Sequence, residues 1–291
     1  MRKQLPRQNL VLSELNTMLS RIYRARRDMI RPVFEHPREY ILLNIRELAA
    51  RLEVDPATVS RTILAMGFPS YRDFQRYLHQ LSIAHTTALD QMRSTKKQNT
   101  SFASRIQETL EAATKNLEGL VNSLDSSKLQ DLAARFYKAK RIIILGGDLA
   151  QSLASFLHYQ LNLLGFHAIS ATDAGHIIHL MRGTTKDDLV VAISFRRGLR
   201  QTVEGLIEAK ANGCYTVGIT DTSISRIARV SDESLIVSID APPFGPSYVA
   251  AMALLDAILS AIANHRRLRT VAILKEAEKE QRTGYRWYPE L

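Results

Sequence analysis

From Arg141 onward the chain keeps returning to short runs of branched apolar residues. "RIIILGG" begins at Arg141, "DDLVVAISF" at Asp187, "YTVGITD" at Tyr215 and "SLIVSID" at Ser234, each set apart from the next by a stretch long enough for a helix or loop. Strands that alternate with helices form a parallel sheet, and a parallel sheet needs both faces covered. Up to about residue 80 the apolar spacing is helical instead, in short segments punctuated by Pro32, Pro37, Asn44, Pro56 and Pro69. The fold class expected is therefore an all-α N-terminal domain followed by an α/β domain with helices on both faces of a parallel sheet.

Between the halves lies "HTTALDQMRSTKKQNTS", which is polar and has no clear apolar stripe at its end. It reads as a linker. The organisation expected is a helical domain over 1–80, a linker over 81–100, an α/β domain over 101–265 and a C-terminal extension over 266–291. The segment "FASRIQETLEAATKNLEGLVNSLDSSKLQDLAARFYKAK" reads as two helices leading into the α/β domain, split near Asp125 to Ser127.

The 291 residues include 39 Lys and Arg against 29 Asp and Glu, a formal charge of +10 that biases the chain toward phosphate backbones or other polyanions. Residues 1–97 hold 17 of the basic and nine of the acidic side chains, so +8 of the +10 sits there, and the partner surface is expected there too. The start, "MRKQLPRQNLVLSELNTML", interrupts every apolar run, and no stretch approaches the roughly 18 apolar residues of a membrane span. A cytoplasmic protein without a membrane partner is expected.

Cys214 is the only cysteine, which excludes an internal disulfide and any multi-cysteine metal site; its setting, "NGCYTVGIT", suggests a small core residue at a strand entry. In "DAGHIIHLM", Asp173, His176 and His179 fall at spacings of three, but no third ligand of suitable spacing accompanies the two histidines. Neither a metal nor another cofactor is expected. Trp287 in the "GYRWYPEL" tail offers apolar area and no readable site chemistry.

The most specific local pattern is "NIRELAARLEVDPATVSRTILAMGF". Asn44 can cap a helix whose third residue is Glu47, the arrangement in which cap and third residue satisfy each other's backbone N–H. Leu48, Ala49 and Leu52 then form its inner face. Asp55 can cap the next helix, with Pro56 at the first position, where a missing N–H costs nothing. Two helices so close in sequence must cross sharply, which needs a small side chain at the crossing (Ala49) and an apolar plug in the turn (Val54). This is the helix-turn-helix arrangement. With Val59 and Ile63 turned inward, the second helix offers Ala57, Thr58, Ser60 and Arg61 to a groove of double-stranded DNA, while Tyr71 and Arg72 at the next helix start suit backbone positioning.

"NIRELAARLEVDPATVSRTILAMGFPSYRDFQRYL", followed by an alternating α/β half, resembles the RpiR/MurR family of bacterial transcription regulators, in which a helix-turn-helix domain precedes a sugar isomerase (SIS) domain. The resemblance spans about residues 10–265. One departure is Glu53, where such turns commonly carry Gly. The resemblance implies operator DNA as partner, a homodimer or tetramer, a small anionic metabolite as effector and no enzymatic activity. It also implies that the loops after the first and third strands of the SIS domain hold the effector with hydroxyls and helix N-termini.

Those loops are "LGGDLAQSL" and "ISFRRGLRQT". Matched to the family pattern I-S-x-S-G-x-T, the second places Arg196 at the second Ser, Arg197 at the Gly and Leu199 at the Thr, so that only Ser194 survives. In the first, Asp148 stands at a Gly and Ala150 at a Ser. The expected effector residues are therefore Gly146, Gly147, Asp148, Ser152, Ser194, Arg196, Arg197 and Arg200, with arginines replacing a hydroxyl cradle. The alternative is a sugar-phosphate isomerase with a helical appendage, for which Glu204 or His176 would serve as the base.

Overall fold

The computed structural model describes residues 15, 17–35, 37–84, 101–196, 198–223, 225–241 and 245–283. Its contacts divide the chain into two units, one holding the residues up to Gly119 with Asp221–Ile224 and Ser238–Ala250, the other Leu120–Thr220, Ser225–Val237 and the chain from Ala251 onward.

The first unit contains α1 (Arg24–Glu35), α2 (Pro37–Tyr40), α3 (Ile45–Arg51), α4 (Pro56–Ala65) and α5 (Tyr71–Ala84). Each helix is amphipathic, and their inner faces share one core that includes Ile30, Phe34, Leu48, Val59, Ile63, Phe74 and Leu78, all at most 1% exposed. Aromatic edges lock it: Phe34 meets Phe74 at 5.9 Å and 88°, and Phe68 meets Phe74 at 5.4 Å and 74°. Pro32, which reads in the sequence as punctuation, lies inside α1, where the buried Ile30, Val33 and Phe34 hold the helix despite the lost N–H bond. The last helix runs to Ala84, into the stretch read as linker; residues 85–100 lie outside the described residues.

The next helix, α6 (Phe102–Ser123), contains the division between the units, and α7 (Ser126–Lys138) follows after a break capped by Asp125. The second unit then alternates as the sequence predicts: β1 (Arg141–Leu145), a 3₁₀ turn (Asp148–Ala150), α8 (Gln151–Leu163), β2 (Ala168–Ala171), α9 (Ala174–Arg182), β3 (Asp188–Ile193), α10 (Arg200–Ala211), β4 (Tyr215–Thr220), α11 (Arg226–Val230), β5 (Glu233–Ile236), α12 (Val249–His265) and α13 (Arg267–Thr283). The five strands are parallel in the order β2-β1-β3-β4-β5. On one face Ile143, Leu145, Val190 and Ala192 pack with Ile177 and Met181 of α9 and Leu206 of α10. Ile142, Ile144, Leu189 and Val191 on the other face are no more than 1% exposed, so both faces are covered.

Cys214 is buried at the entry to β4 as expected, and burial pushes its thiol pKa up, away from thiolate chemistry. Residues 267–283, part of the expected C-terminal extension, are helical, and Arg269 donates to the carbonyls of Leu164 (3.2 Å) and Gly165 (2.8 Å) at the end of α8. Trp287 lies outside the described residues.

Candidate nucleic-acid interface and effector loops

The turn between α3 and α4 is built by local side-chain chemistry. Asn44 Oδ1 accepts from the N–H groups of Arg46 and Glu47 at 3.0 Å, and the Asn44 N–H donates to Glu47 at 2.7 Å, which completes the reciprocal cap. Ala49 is 1% exposed, and Val54, partly buried, packs on the core from within the turn. Glu53 takes a left-handed backbone, φ 55°, which accounts for glycine being common at this point of such turns. Asp55 then caps α4 by accepting from Thr58 N–H at 2.8 Å and from the Thr58 hydroxyl. These two bonds, with the nearby Arg61 charge, hold the Asp55 pKa below the usual carboxylate value.

The two caps and the turn between them thus fix which side of α4 faces out. Val59, Thr62 and Ile63 are buried, while Ala57 and Arg61 are exposed and Thr58 and Ser60 half-exposed. The guanidinium of Arg61 lies back along the helix, with Nε donating to the Ala57 carbonyl at 3.2 Å and one terminal nitrogen to Thr58 Oγ1 at 3.3 Å. Arg72 is exposed at the start of α5, but Tyr71 is only half-exposed and donates its hydroxyl to the Leu43 carbonyl at 2.7 Å. Burial and the Glu47 carboxylate raise its pKa to about 12. Tyr71 therefore straps α5 to the loop before α3, and that hydroxyl proton is engaged inside the unit.

In the second unit β1 and β3 are neighbours, and the chain leaves β1 toward β2 on one side and β3 toward β4 on the other, so the sheet order reverses between their carboxyl ends, where ligands of open α/β folds sit. The loops after β1 and β3 flank it. They touch: a Cβ added to Gly147 would meet Leu199 Cδ2 at 2.5 Å and the Thr172 carbonyl at 2.9 Å, with Gln201 Nε2 3.8 Å away. Only a residue without a side chain fits there. Gly146 is equally confined, by Ala154 Cβ at 2.9 Å.

Ser194 is buried, and its Oγ accepts from the Leu199 N–H at 2.9 Å, closing the loop before α10. Within that loop Arg196 and Gly198 have φ of 57° and 74°, and Arg197 lies outside the described residues. Arg196 is exposed. Arg200 is exposed as well and already ion-paired, with Nε donating to Glu204 Oε1 at 2.7 Å. Leu199, the N-cap of α10, supplies no side-chain cap, and the buried Thr202 hydroxyl in its first turn has no hydrogen-bond partner among the described residues. Asp148 is exposed with φ 54°, and Ser152, also exposed, donates to the Leu149 carbonyl at 3.1 Å.

Glu204 is thus spent on Arg200, and His176 is exposed in the first turn of α9, whose cap, Asp173, accepts from the His176 N–H. Among the described residues no three His, Cys, Asp or Glu side chains come together as a metal site, and no single helix is long and apolar enough to cross a membrane. A groove of ≈ 260 Å³ at the amino ends of the strands is lined by Arg135, Lys138, Lys186, Asp187, Asp188 and Tyr215. Arg135 covers the Tyr215 ring at 3.7 Å, and Arg135 and Lys138 stand in the last turn of α7, where cations offset the helix dipole.

Comparison with known proteins agrees with this architecture. Residues 135–261 match the SIS domain family. Over 236 residues, 77% of this chain and 80% of the relative, the sequence is 23% identical to an uncharacterized HTH-type transcriptional regulator of Clostridium perfringens. The sugar isomerase domain of the RpiR transcription factor of Sphaerobacter thermophilus superposes with a TM-score of 0.57 at 26% identity, covering 59% of this chain and 96% of that one. The Vibrio vulnificus NanR protein, solved in complex with ManNAc-6P, matches with a TM-score of 0.58 at 20% identity over 94% of this chain and 99% of its own.

Proposed function

We infer that this chain, an HTH-type transcription regulator of the RpiR/MurR kind with a SIS domain, lays α4 in the major groove of operator DNA and couples that binding to a small anionic metabolite at the loops after β1 and β3. The observation that carries the DNA half is the outward face of α4: a capped helix following a tight turn, with Ala57 small enough for close approach and Arg61 ready to extend. A homodimer or tetramer is the form we expect to bind, with two equivalent α4 helices reading inverted half-sites. Arg61→Ala should weaken binding to a selected duplex by roughly 1–3 kcal/mol and relax preference at one or two base pairs. A titration showing affinity and base preference both unchanged would remove Arg61 from the reading surface.

The effector half rests on the switch-point position of the two loops and on their chemistry. NanR, with the same fold, was solved with a sugar phosphate. In this chain Leu199 covers Gly147 and Ser194 is used in closing its own loop, so a ligand's charged group is expected at the exposed Arg196 and Arg200, competing with Glu204 for the latter. Thermal-shift titrations with ManNAc-6P and with inorganic phosphate should show stabilisation that weakens with salt and is lost in Arg196→Ala. A neutral sugar that stabilises both proteins equally would contradict an anion-binding role for these loops.

A further inference from the structure

Leu64 is a large apolar side chain left 55% exposed on the helix whose other large apolar residues are buried. Its place on α4 is informative. At about 100° per residue, Ala57, Arg61 and Leu64 fall within about 60° of one another. The buried residues Val59, Thr62 and Ile63 lie on the opposite side, as does Met66 just beyond the helix. The stripe directly away from the core is therefore Ala57, Arg61 and Leu64, with a methyl at one end, a guanidinium in the middle and an isobutyl group at the other. Seven residues of helix separate the two apolar ends by about 10 Å, which is about three base-pair steps. A single exposed leucine is ordinary on a protein surface. One set in line with the arginine and the small residue of a groove-facing helix is placed to be read against DNA.

We propose that Leu64 is a specificity-determining residue that packs on the 5-methyl group of a thymine in each half-site. The inference rests on the proposed insertion of α4 in the major groove. Of the four bases only thymine presents an apolar group on that groove's floor, and an apolar side chain without hydrogen-bonding atoms can distinguish nothing else there. Arg61 between the two apolar ends contributes the polar contact; Leu64 adds preference at a neighbouring position. A leucine here also disfavours cytosine, whose amino group would lose its water without gaining an acceptor.

The test uses the full chain and duplexes selected by it from a random-sequence pool. Each conserved thymine in the selected duplex is replaced in turn by uracil, which removes only the methyl group. At one position per half-site the replacement should weaken binding roughly fourfold, the equivalent of about 0.8 kcal/mol for one buried methyl. In Leu64→Ala that penalty should vanish while the preference read by Arg61 stays. Leu64→Gln should move the selected base at the same position from thymine toward adenine, whose groove edge pairs with an amide. Wild-type binding insensitive to uracil at every position, or a penalty that persists in Leu64→Ala, would overturn the proposal while leaving DNA binding intact. A pool that yields no enriched sequence would overturn the DNA-binding reading itself, and this proposal with it.

Discussion

Asp188→Ala is expected to destabilise the second unit by roughly 2–3 kcal/mol, because it removes a buried carboxylate that accepts from Arg141 and Thr185, while the remaining Arg141 guanidinium is 27% exposed and keeps its bond to the Gly183 carbonyl at 2.7 Å. The Asp188 side chain is 1% exposed, at the start of β3, and pairs with Arg141 at the start of β1, with Nε to Oδ1 at 2.9 Å and the terminal nitrogen to Oδ2 at 2.7 Å. The Thr185 N–H adds a bond at 2.8 Å. Burial by itself raises the Asp188 pKa, but the Arg141 and Thr185 bonds outweigh it and leave the pKa lowered. A carboxylate held low in the folded state stabilises the fold above its unfolded pKa of about 4, and that stability is lost as pH falls through the folded value. Urea unfolding at neutral pH should therefore separate wild type from Asp188→Ala widely, and the gap should narrow below about pH 4. A gap of less than about 1 kcal/mol at neutral pH would show that water replaces the pair at little cost.

The consequence reaches the loops proposed to hold the effector. The pair clamps the amino ends of β1 and β3, the two strands whose carboxyl ends carry Gly147 and Ser194. Register between these strands sets how Leu199 meets Gly147, so the variant is expected to lose ligand-induced stabilisation along with fold stability.

What could be read from the sequence is what local chemistry decides. The caps at Asn44 and Asp55 and the inward Val59 and Ile63 depend on neighbours a few residues away, and the structure has each of them as expected. The strands from Arg141, Asp188, Tyr215 and Glu233 were legible because buried parallel strands are apolar runs. Ala168–Ala171 was not, because a four-residue edge strand of two alanines, an isoleucine and a serine has too little apolar signal. The Arg200–Glu204 pair follows from a spacing of four on a helix and was visible in the sequence, although there the arginine reads as an anion contact and the glutamate as a candidate base rather than as each other's partner.

The contacts between distant segments were out of reach. Leu199 covers Gly147 across the sheet's switch point, and Tyr71 turns its hydroxyl to a carbonyl 28 residues away. Neither partner can be inferred from the residues adjoining it. The exposure of Leu64 was missed for a different reason, since an apolar residue at a helical spacing reads as core until its neighbours are placed.

Ala57→Glu should cost at least about a hundredfold in operator affinity, some 3 kcal/mol, while leaving the fold intact. Ala57 is exposed in the first turn of α4, opposite the core, and its methyl group is the shortest approach the helix offers to a groove floor. A glutamate there projects a carboxylate toward the phosphates and holds the helix away from the bases. The same carboxylate suits the positive end of the helix, so thermal stability should be unchanged or slightly higher. This separates loss of binding from loss of structure. The deciding measurement is a titration of wild type and Ala57→Glu against one duplex selected by the wild-type chain, at fixed salt, with the melting temperature of each protein measured alongside. The account predicts saturable, sequence-selective binding by wild type and at least a hundredfold weaker binding by an equally stable variant. Equal affinity of the two proteins for the selected duplex would mean that α4 does not enter the groove.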